Sequence, residues 1–205
     1  MKRILLLIII STNVFIGMSQ NIKIGAIAGI NASQVGGDGL SGFRKAGLVL
    51  GGFADLDVSE KINLQFEIIY SQKGSRKNPK TDEGDTEFFL LQMDYIEVPI
   101  MARYRNKKFT YDAGLYIGQL VNSHIEDENG PFSIPPQNNQ LKDQDFGFLI
   151  GLNYNFTENL IMNWRFSNSL VNVREFDSGE NFRFRGGLVH TYLTFTFRYE
   201  FIGHE

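Results

Sequence analysis

The sequence contains no cysteine among its 205 residues, which excludes disulfide bonds, thiol chemistry and cysteine-ligated metal sites. It also lacks a run of about 20 apolar residues, the length that a membrane-spanning helix requires. No stripe of basic residues suggests nucleic-acid binding. Glycine and phenylalanine are abundant, with 21 and 18 residues. This composition suits a β-barrel with a narrow interior and an aromatic exterior better than an average soluble domain.

The first nineteen residues are typical of a cleaved secretory signal peptide. Lys2 and Arg3 precede a short apolar run, and Gly17-Met18-Ser19 offers small residues at the positions that signal peptidase reads. The polar residues 11–13 interrupt the apolar run, which favours a leader over a membrane anchor. We expect residues 1–19 to be removed and residues 20–205 to form one domain. Losing Lys2 and Arg3 changes the formal charge from −3 to −5.

Apolar and polar residues alternate with a period of two along most of the mature chain. The last segment shows this best, because apolar and aromatic residues take nearly every odd position from Val189 to Phe201, and polar residues take most even positions from His190 to Glu200. Successive side chains of a β-strand point to opposite faces. Each such segment is therefore predicted to have one apolar and one polar face.

Eight segments with this pattern are predicted to be strands, and the connections between them alternate in length. The short connections lie near residues 59–61, 106–107 and 157–159, and the long ones cover about 34–45, 74–87, 122–144 and 173–186. Short turns at one end and long loops at the other are typical of barrels that cross an outer membrane. The predicted strands are 22–33, 46–57, 62–73, 88–104, 108–121, 145–156, 160–172 and 187–201.

The direction of the apolar face decides between two classes of barrel. A soluble, lipocalin-like barrel that binds an apolar ligand would turn the apolar face inward. Several glycines lie on the polar face, where they would pack poorly against water but would make room inside a narrow barrel for long charged side chains. No charge interrupts the apolar face, as contact with lipid requires. We therefore predict an all-β, eight-stranded antiparallel up-and-down transmembrane β-barrel, with the soluble barrel as the alternative.

One segment resembles a known family. The sequence from Asp94 to Tyr104, DYIEVPIMARY, is similar to the "Y-[LI]-E-[IV]-P" strand of the PorT-like outer-membrane β-barrel proteins of the Bacteroidota. The glycine-rich stretch 23–31 and the stretch 151–154 resemble two other strands of that family. The resemblance implies an outer-membrane barrel domain with no shared catalytic residues. It also implies a location in the outer membrane of a Gram-negative bacterium, and the even strand count places both termini in the periplasm.

Pro99, inside this segment, has no amide hydrogen to donate to a sheet ladder. We expect a β-bulge at this position, and the alternative is a strand that ends earlier.

Charged residues on the polar face form the main candidate site. In a narrow interior, acids and bases are expected to pair and to fill the lumen as a plug, and Glu97 is expected to pair with an arginine. The alternatives are an ion path or a carboxylate pair for acid–base chemistry. The candidate lumen charge network comprises Glu67, Glu97, Arg103, Arg165 and Arg198.

Other groups of residues are weaker candidates for a metal site or a catalytic site. The three histidines, His124, His190 and His204, lack metal-ligand spacing. A serine triad can be assembled only on paper, from Ser167 or Ser169 with His190 and Asp112. We expect no catalysis, metal or cofactor, and a small outer-membrane enzyme remains the further alternative.

Contacts of the protein are expected with outer-membrane lipids and lipopolysaccharide. The acidic stretches 81–85 and 126–130 resemble fragments of calcium loops without the full ligand spacing. The long loop 122–144, with Pro131, Phe132 and Ile134, is the candidate contact for a protein partner, because it presents apolar groups on a stiff backbone. The expected role is structural or interactive.

Overall fold

Eight long β-strands make up most of the chain that the computed structural model describes, which comprises residues 22–40, 42–132, 141–175 and 187–201. The predicted signal peptide and His204 lie outside these ranges. Within them, no helix is long and apolar enough to cross a membrane. The strands are β1 (Ile22–Gly36), β2 (Lys45–Asp57), β3 (Ile62–Lys77), β4 (Phe89–Asn106), β5 (Phe109–Asp127), β6 (Gln144–Asn155), β7 (Leu160–Ser169) and β8 (Gly187–Glu200).

The strands close into a ring. Each pairs antiparallel with the next, and β8 returns to β1 with a register that runs from Gly25–Glu200 to Gly36–Val189. The three short connections gather at one rim, here called the short-turn end, and the long connections lie at the opposite rim, the long-loop end. The prediction of an eight-stranded up-and-down barrel is confirmed.

Three strands extend further toward the long-loop end than predicted. β1, β3 and β5 end at Gly36, Lys77 and Asp127. Their outer parts continue the ladder, as in the pairs Lys77–Phe89 and Phe89–Asp127. The first six residues of the predicted 122–144 loop therefore belong to β5, and residues 133–140 of that loop lie outside the described residues.

Side chains alternate between a buried and an exposed face along every strand. On β8, His190 is fully buried and Arg198 is 1% exposed, whereas Phe197 is 53% exposed. The buried face carries nearly all the charges of the strands, and the exposed face carries isoleucine, leucine, phenylalanine and tyrosine. A soluble barrel would have the reverse arrangement, because apolar side chains would be removed from water. The lipocalin-like alternative is therefore wrong.

Exposed aromatic residues cluster at the short-turn end. The rings of Phe109 and Tyr154 are 5.4 Å apart between centroids, and those of Tyr154 and Phe156 are 5.0 Å apart. Tyr199 and Phe201 form a further pair at 6.0 Å. Rings at this position are typical of a membrane–water interface.

Pro99 lies within β4, and the expected bulge does not occur there. Pro99 pairs with Tyr116 of β5, and the β3–β4 register is the same on both sides, from Phe66–Ile100 to Ile69–Glu97. The two intervening pairs are missing from the β3–β4 ladder. Pro99 has no amide hydrogen to donate toward β3, which accounts for this gap. The expectations of a bulge and of an earlier strand end are both wrong.

The bulge lies at Val121 of β5 instead. Asp94 pairs with Asn122 and Tyr95 pairs with Leu120, so Val121 has no counterpart on β4. An extra residue reverses which side chains face inward beyond it. Even-numbered residues of β5 face the lumen up to the bulge, whereas Ile125 faces it afterwards and is 8% exposed.

Candidate functional site

The lumen of the barrel is filled by polar side chains in three layers. From the short-turn end, we name them after their central residues: the Arg103 layer, the Glu67 layer and the Lys73 layer. These side chains face inward because they occupy the alternate positions opposite the exposed apolar residues. All three central residues are at most 5% exposed. Buried charges of this kind require partners, and each layer supplies them within the barrel.

In the Arg103 layer, one guanidinium bridges two acids from different strands. Arg103 Nη1 donates to Asp55 Oδ2 at 2.5 Å, and its Nε donates to Asp112 Oδ1 at 3.1 Å. Asn163 lies beside this pair and donates to Asn153 at 2.9 Å. The layer therefore ties β2, β4 and β5 together through one positive and two negative charges.

In the Glu67 layer, one carboxylate holds two arginines. Arg165 donates from Nη1 and Nη2 to the two oxygens of Glu67, both at 2.9 Å. Arg198 Nη2 donates to Oε1 at 2.8 Å, and Gln65 donates to the same oxygen at 2.6 Å. A bidentate arginine–carboxylate pair is geometrically specific and strong. Arg198 also lies 3.8 Å from Asp112, which connects this layer to the Arg103 layer.

In the Lys73 layer, a fully buried ammonium group lies between two acids and three aromatic rings. Lys73 Nζ forms ion pairs with Glu97 and with Asp145, the latter at 2.8 Å. The same nitrogen lies 4.3 to 4.8 Å from three tyrosine ring centroids, within the range of cation–π attraction. The rings belong to Tyr95, Tyr116 and Tyr192.

The five residues of the predicted charge network are all buried, but they do not form one cluster. Glu67, Arg165 and Arg198 meet in the Glu67 layer, and Arg103 lies in the layer next to it. Glu97 pairs with Lys73, so the expectation of an arginine partner for Glu97 is wrong. It fails because Glu97 stands opposite Ile69 of β3, two residues beyond Glu67 toward the long-loop end, and is therefore nearer to the Lys73 layer.

Several members of the layers were absent from the predicted network. Asp55 and Asp112 occupy inward-facing positions of the predicted strands 46–57 and 108–121. Lys73 and Asp145 stand at the limits of the predicted strands 62–73 and 145–156. Both positions fall on the polar side of the strand alternation, and this was the signal that could have identified them.

The glycines of the polar face lie against aromatic rings, charged side chains or the backbone of the neighbouring strand. A Cβ atom on Gly147 would lie 2.5 Å from Cε1 and Oη of Tyr116, so this glycine allows the tyrosine to reach across the lumen. Gly118 lies beside Tyr95 and Glu97, at 3.3 and 3.4 Å from a hypothetical Cβ. Gly118 and Gly151, where an added Cβ would lie 3.4 Å from Glu97 and from Asp112, fit the expectation of space for charged side chains, whereas Gly147 makes room for a ring.

The interior has little free space. A cavity of about 10 Å³ lies in the middle of the barrel, between Glu97, Tyr116, Arg165 and Tyr192. This volume holds about one water molecule. Beyond the Lys73 layer, an apolar cluster, here called the apolar cap, closes the lumen toward the long-loop end. The apolar cap comprises Val35, Leu91, Met93, Tyr95, Ile125, Val173 and Leu188.

The serine triad considered from the sequence does not assemble. Ser169 Oγ accepts the backbone N–H of His190 at 3.3 Å and lies 3.2 Å from the Tyr116 hydroxyl. Neither ring nitrogen of His190 has a hydrogen-bond partner, and Asp112 binds Arg103 in another layer. In the described parts of the chain, no three His, Asp or Glu side chains are grouped so that they could hold a metal ion.

The acidic stretches at the long-loop end are engaged in local contacts. Lys77 binds both Asp85, at 3.1 Å, and Glu87. His124 lies 3.4 Å from Glu126 on the exposed part of β5. Among the residues that the structure describes, these carboxylates form no group of three that could hold a metal ion.

Comparisons with known proteins agree with this architecture. A family model described as outer membrane protein beta-barrel domain matches residues 18–175. No curated protein matches the chain by sequence. Among solved structures, Neisserial surface protein A is 12% identical with a TM-score of 0.53, and the alignment covers 90% of this chain and 100% of that chain. Ail, the attachment invasion locus protein of Yersinia pestis, is 14% identical with a TM-score of 0.46, covering 89% and 97%.

The similarity to Neisserial surface protein A is a similarity of fold, because the identity is low. The family match spans most of the chain and includes seven of the eight strands. Together with a closed ring of eight strands and an apolar exterior, it establishes that this chain belongs to the outer membrane protein β-barrel domain family.

Proposed function

We propose that the protein is a sealed outer-membrane barrel with a structural or interaction role and without catalysis. The filled cross-section of the lumen carries this proposal. Three charged layers and the apolar cap follow one another along the axis, and the central cavity of about 10 Å³ is enclosed between them. Eight strands leave an interior just wide enough for side chains.

The charge pairing supports a plug over an ion path. A path for ions needs groups that bind weakly and exchange with water, whereas Glu67 accepts four hydrogen bonds at 2.6 to 2.9 Å and is buried. Opening a path would break these bonds and expose the arginines without their counter-ion, which is costly in a poorly solvated interior.

The long-loop end is the surface that we assign to interaction. This end carries Asp85, Glu87, Asp127 and Glu128 with basic neighbours such as Lys77. Termini on the periplasmic side would direct this end away from the cell. We propose contacts there with a protein partner and, through divalent cations that bridge the loop carboxylates to its phosphates, with lipopolysaccharide head groups. The exposed apolar face of the strands would contact lipid chains.

Strand β4, which carries Glu97 and Pro99, supports assignment of the protein to the PorT-like branch of the Bacteroidota. Its sequence resembles that of the branch, and the glutamate of the resembling stretch, Glu97, is buried inside the barrel. This assignment carries no particular secretion role.

Planar-bilayer recording tests the sealed lumen. The purified, refolded protein is expected to insert without discrete conductance steps in 1 M KCl, under conditions in which a reference porin gives them. Reproducible unitary steps from the wild-type protein, abolished by heat unfolding, would contradict the proposal. Heat-modifiable migration on a gel verifies in the same sample that the barrel is folded.

A further inference from the structure

A cavity of about 400 Å³ opens at the long-loop end of the barrel. Leu91 and Leu188, two buried members of the apolar cap, form part of its wall. Phe88, Phe89 and Leu40 add further apolar surface. The volume lies within the range of 300 to 1,000 Å³ that is common for small-molecule sites, and such sites are mostly apolar with a few polar groups.

The charged groups around this cavity are predominantly acidic. Asp38, Glu87, Asp127 and Glu128 line it, together with Lys77 and Arg174, so that its formal charge is −2. Lys77 is already bound by Asp85 and Glu87. The rim therefore attracts a cation and repels an anion such as a phosphate group.

Asp38 is half-buried in the wall of this cavity. Its Oδ1 accepts the backbone N–H of Leu40 at 2.8 Å, its buried Oδ2 makes no direct hydrogen bond, and the Ser75 hydroxyl lies beside the carboxylate. Burial raises the pKa of this carboxyl above its ordinary value. A cation in the cavity would stabilise the charged form of this carboxyl group, which burial disfavours.

From this combination we infer that the cavity binds a small amphiphilic organic cation, with an apolar body against the Leu91–Leu188 wall and an ammonium group toward Asp38. The cavity is separated from the Lys73 layer by the apolar cap, so the inference goes beyond the sealed lumen and does not depend on it. It requires only that the long-loop end is accessible from water.

Methyl NMR of leucine-labelled protein in lipid nanodiscs tests this site. The probe is tryptamine, a flat apolar ring with an ammonium group, and the matched probe is indole-3-propionate, which has the same ring and a carboxylate. Tryptamine is expected to shift the methyl signals of Leu91 and Leu188 with saturation, and indole-3-propionate is expected to leave them unchanged.

Two variants separate charge recognition from simple apolar adsorption. Asp38→Asn is expected to weaken tryptamine binding about three- to tenfold, because one charge-assisted contact is lost. Glu158→Gln, in an exposed turn at the short-turn end, is expected to have no effect. Absence of saturable shifts, equal responses to both probes, or unchanged affinity in Asp38→Asn would each overturn the inference. None of these results bears on conductance, which tests the sealed lumen separately.

Discussion

Replacing Glu67 with alanine removes the acceptor of four hydrogen bonds in the middle of the lumen. Two come from Arg165, one from Arg198 and one from Gln65. Hydrogen bonds to charged groups contribute about 1.5–3 kcal/mol each, so four set an upper limit of about 6–12 kcal/mol. Arg198 can turn further toward Asp112, 3.8 Å away, which offsets part of the loss. We therefore expect a destabilisation of about 3–5 kcal/mol, the usual cost of breaking a buried ion pair.

Urea unfolding in lipid vesicles measures this change, with the fluorescence of the single Trp164 as the signal. Glu67→Ala is expected to lower the midpoint without changing the slope, and to lower the temperature at which the folded gel band disappears. Glu158→Ala, in an exposed turn, is the matched control and is expected to change stability by less than about 0.5 kcal/mol.

A double-mutant cycle identifies the cause of the lost stability in Glu67→Ala. If Arg165 is destabilised because it loses its counter-ion, the double variant Glu67→Ala/Arg165→Ala should lose clearly less stability than the two single variants together, by about 2 kcal/mol. Two results would refute the reasoning. One is an unfolding midpoint of Glu67→Ala that equals that of Glu158→Ala, and the other is a loss of stability in the double variant that equals the sum of the two single losses.

Further predictions use the same unfolding assay. Glu97→Ala should lower the free energy of unfolding less than Glu67→Ala does, because Asp145 still binds Lys73. The double variant Glu97→Ala/Asp145→Ala should lose more stability than the two single variants combined, and additive losses would show that Lys73 does not couple the two acids. Gly147→Ala should destabilise the barrel by about 1–3 kcal/mol, because the new Cβ would overlap with the backbone oxygen of Asn168 and with Tyr116. Gly52→Ala, whose nearest neighbour would be 3.3 Å away, should destabilise it less, and equal effects would contradict this packing. Ile150→Arg, on the exposed face in the middle of β6, should cost about 2–4 kcal/mol in a bilayer, and a neutral effect would argue against lipid contact there.

The strands were predictable from the sequence because each carries its own signal. Alternation is local, so the residues from Val189 to Phe201 identify both the strand and its two faces without knowledge of the remaining chain. The lipid-facing direction also followed, because no charge interrupts the apolar positions.

Pairing inside the lumen was not predictable to the same degree. Lys73 and Asp145 belong to β3 and β6, which are not neighbours, and they are 72 residues apart. Whether they meet depends on the stagger of all eight strands when the ring closes, a property of the whole barrel. The alternation along each strand could place both side chains inside the barrel, but it could not select Lys73 over an arginine as the partner of Glu97.

The bulge at Val121 shows a second limit. Proline suggested an irregularity at Pro99, but the missing amide hydrogen is tolerated by loss of two ladder pairs with the register intact. The extra residue in β5 has no comparable marker in the sequence, although it decides that Ile125 joins the apolar cap.

The account depends most on the apolar face being in contact with lipid, and Trp164 offers a direct measurement. This tryptophan is on β7 between the inward-facing Asn163 and Arg165, so its ring points outward. In vesicles of brominated phospholipid its fluorescence should be strongly quenched, and aqueous iodide should have little effect. Strong quenching by iodide together with indifference to brominated lipid would contradict the orientation of the barrel wall.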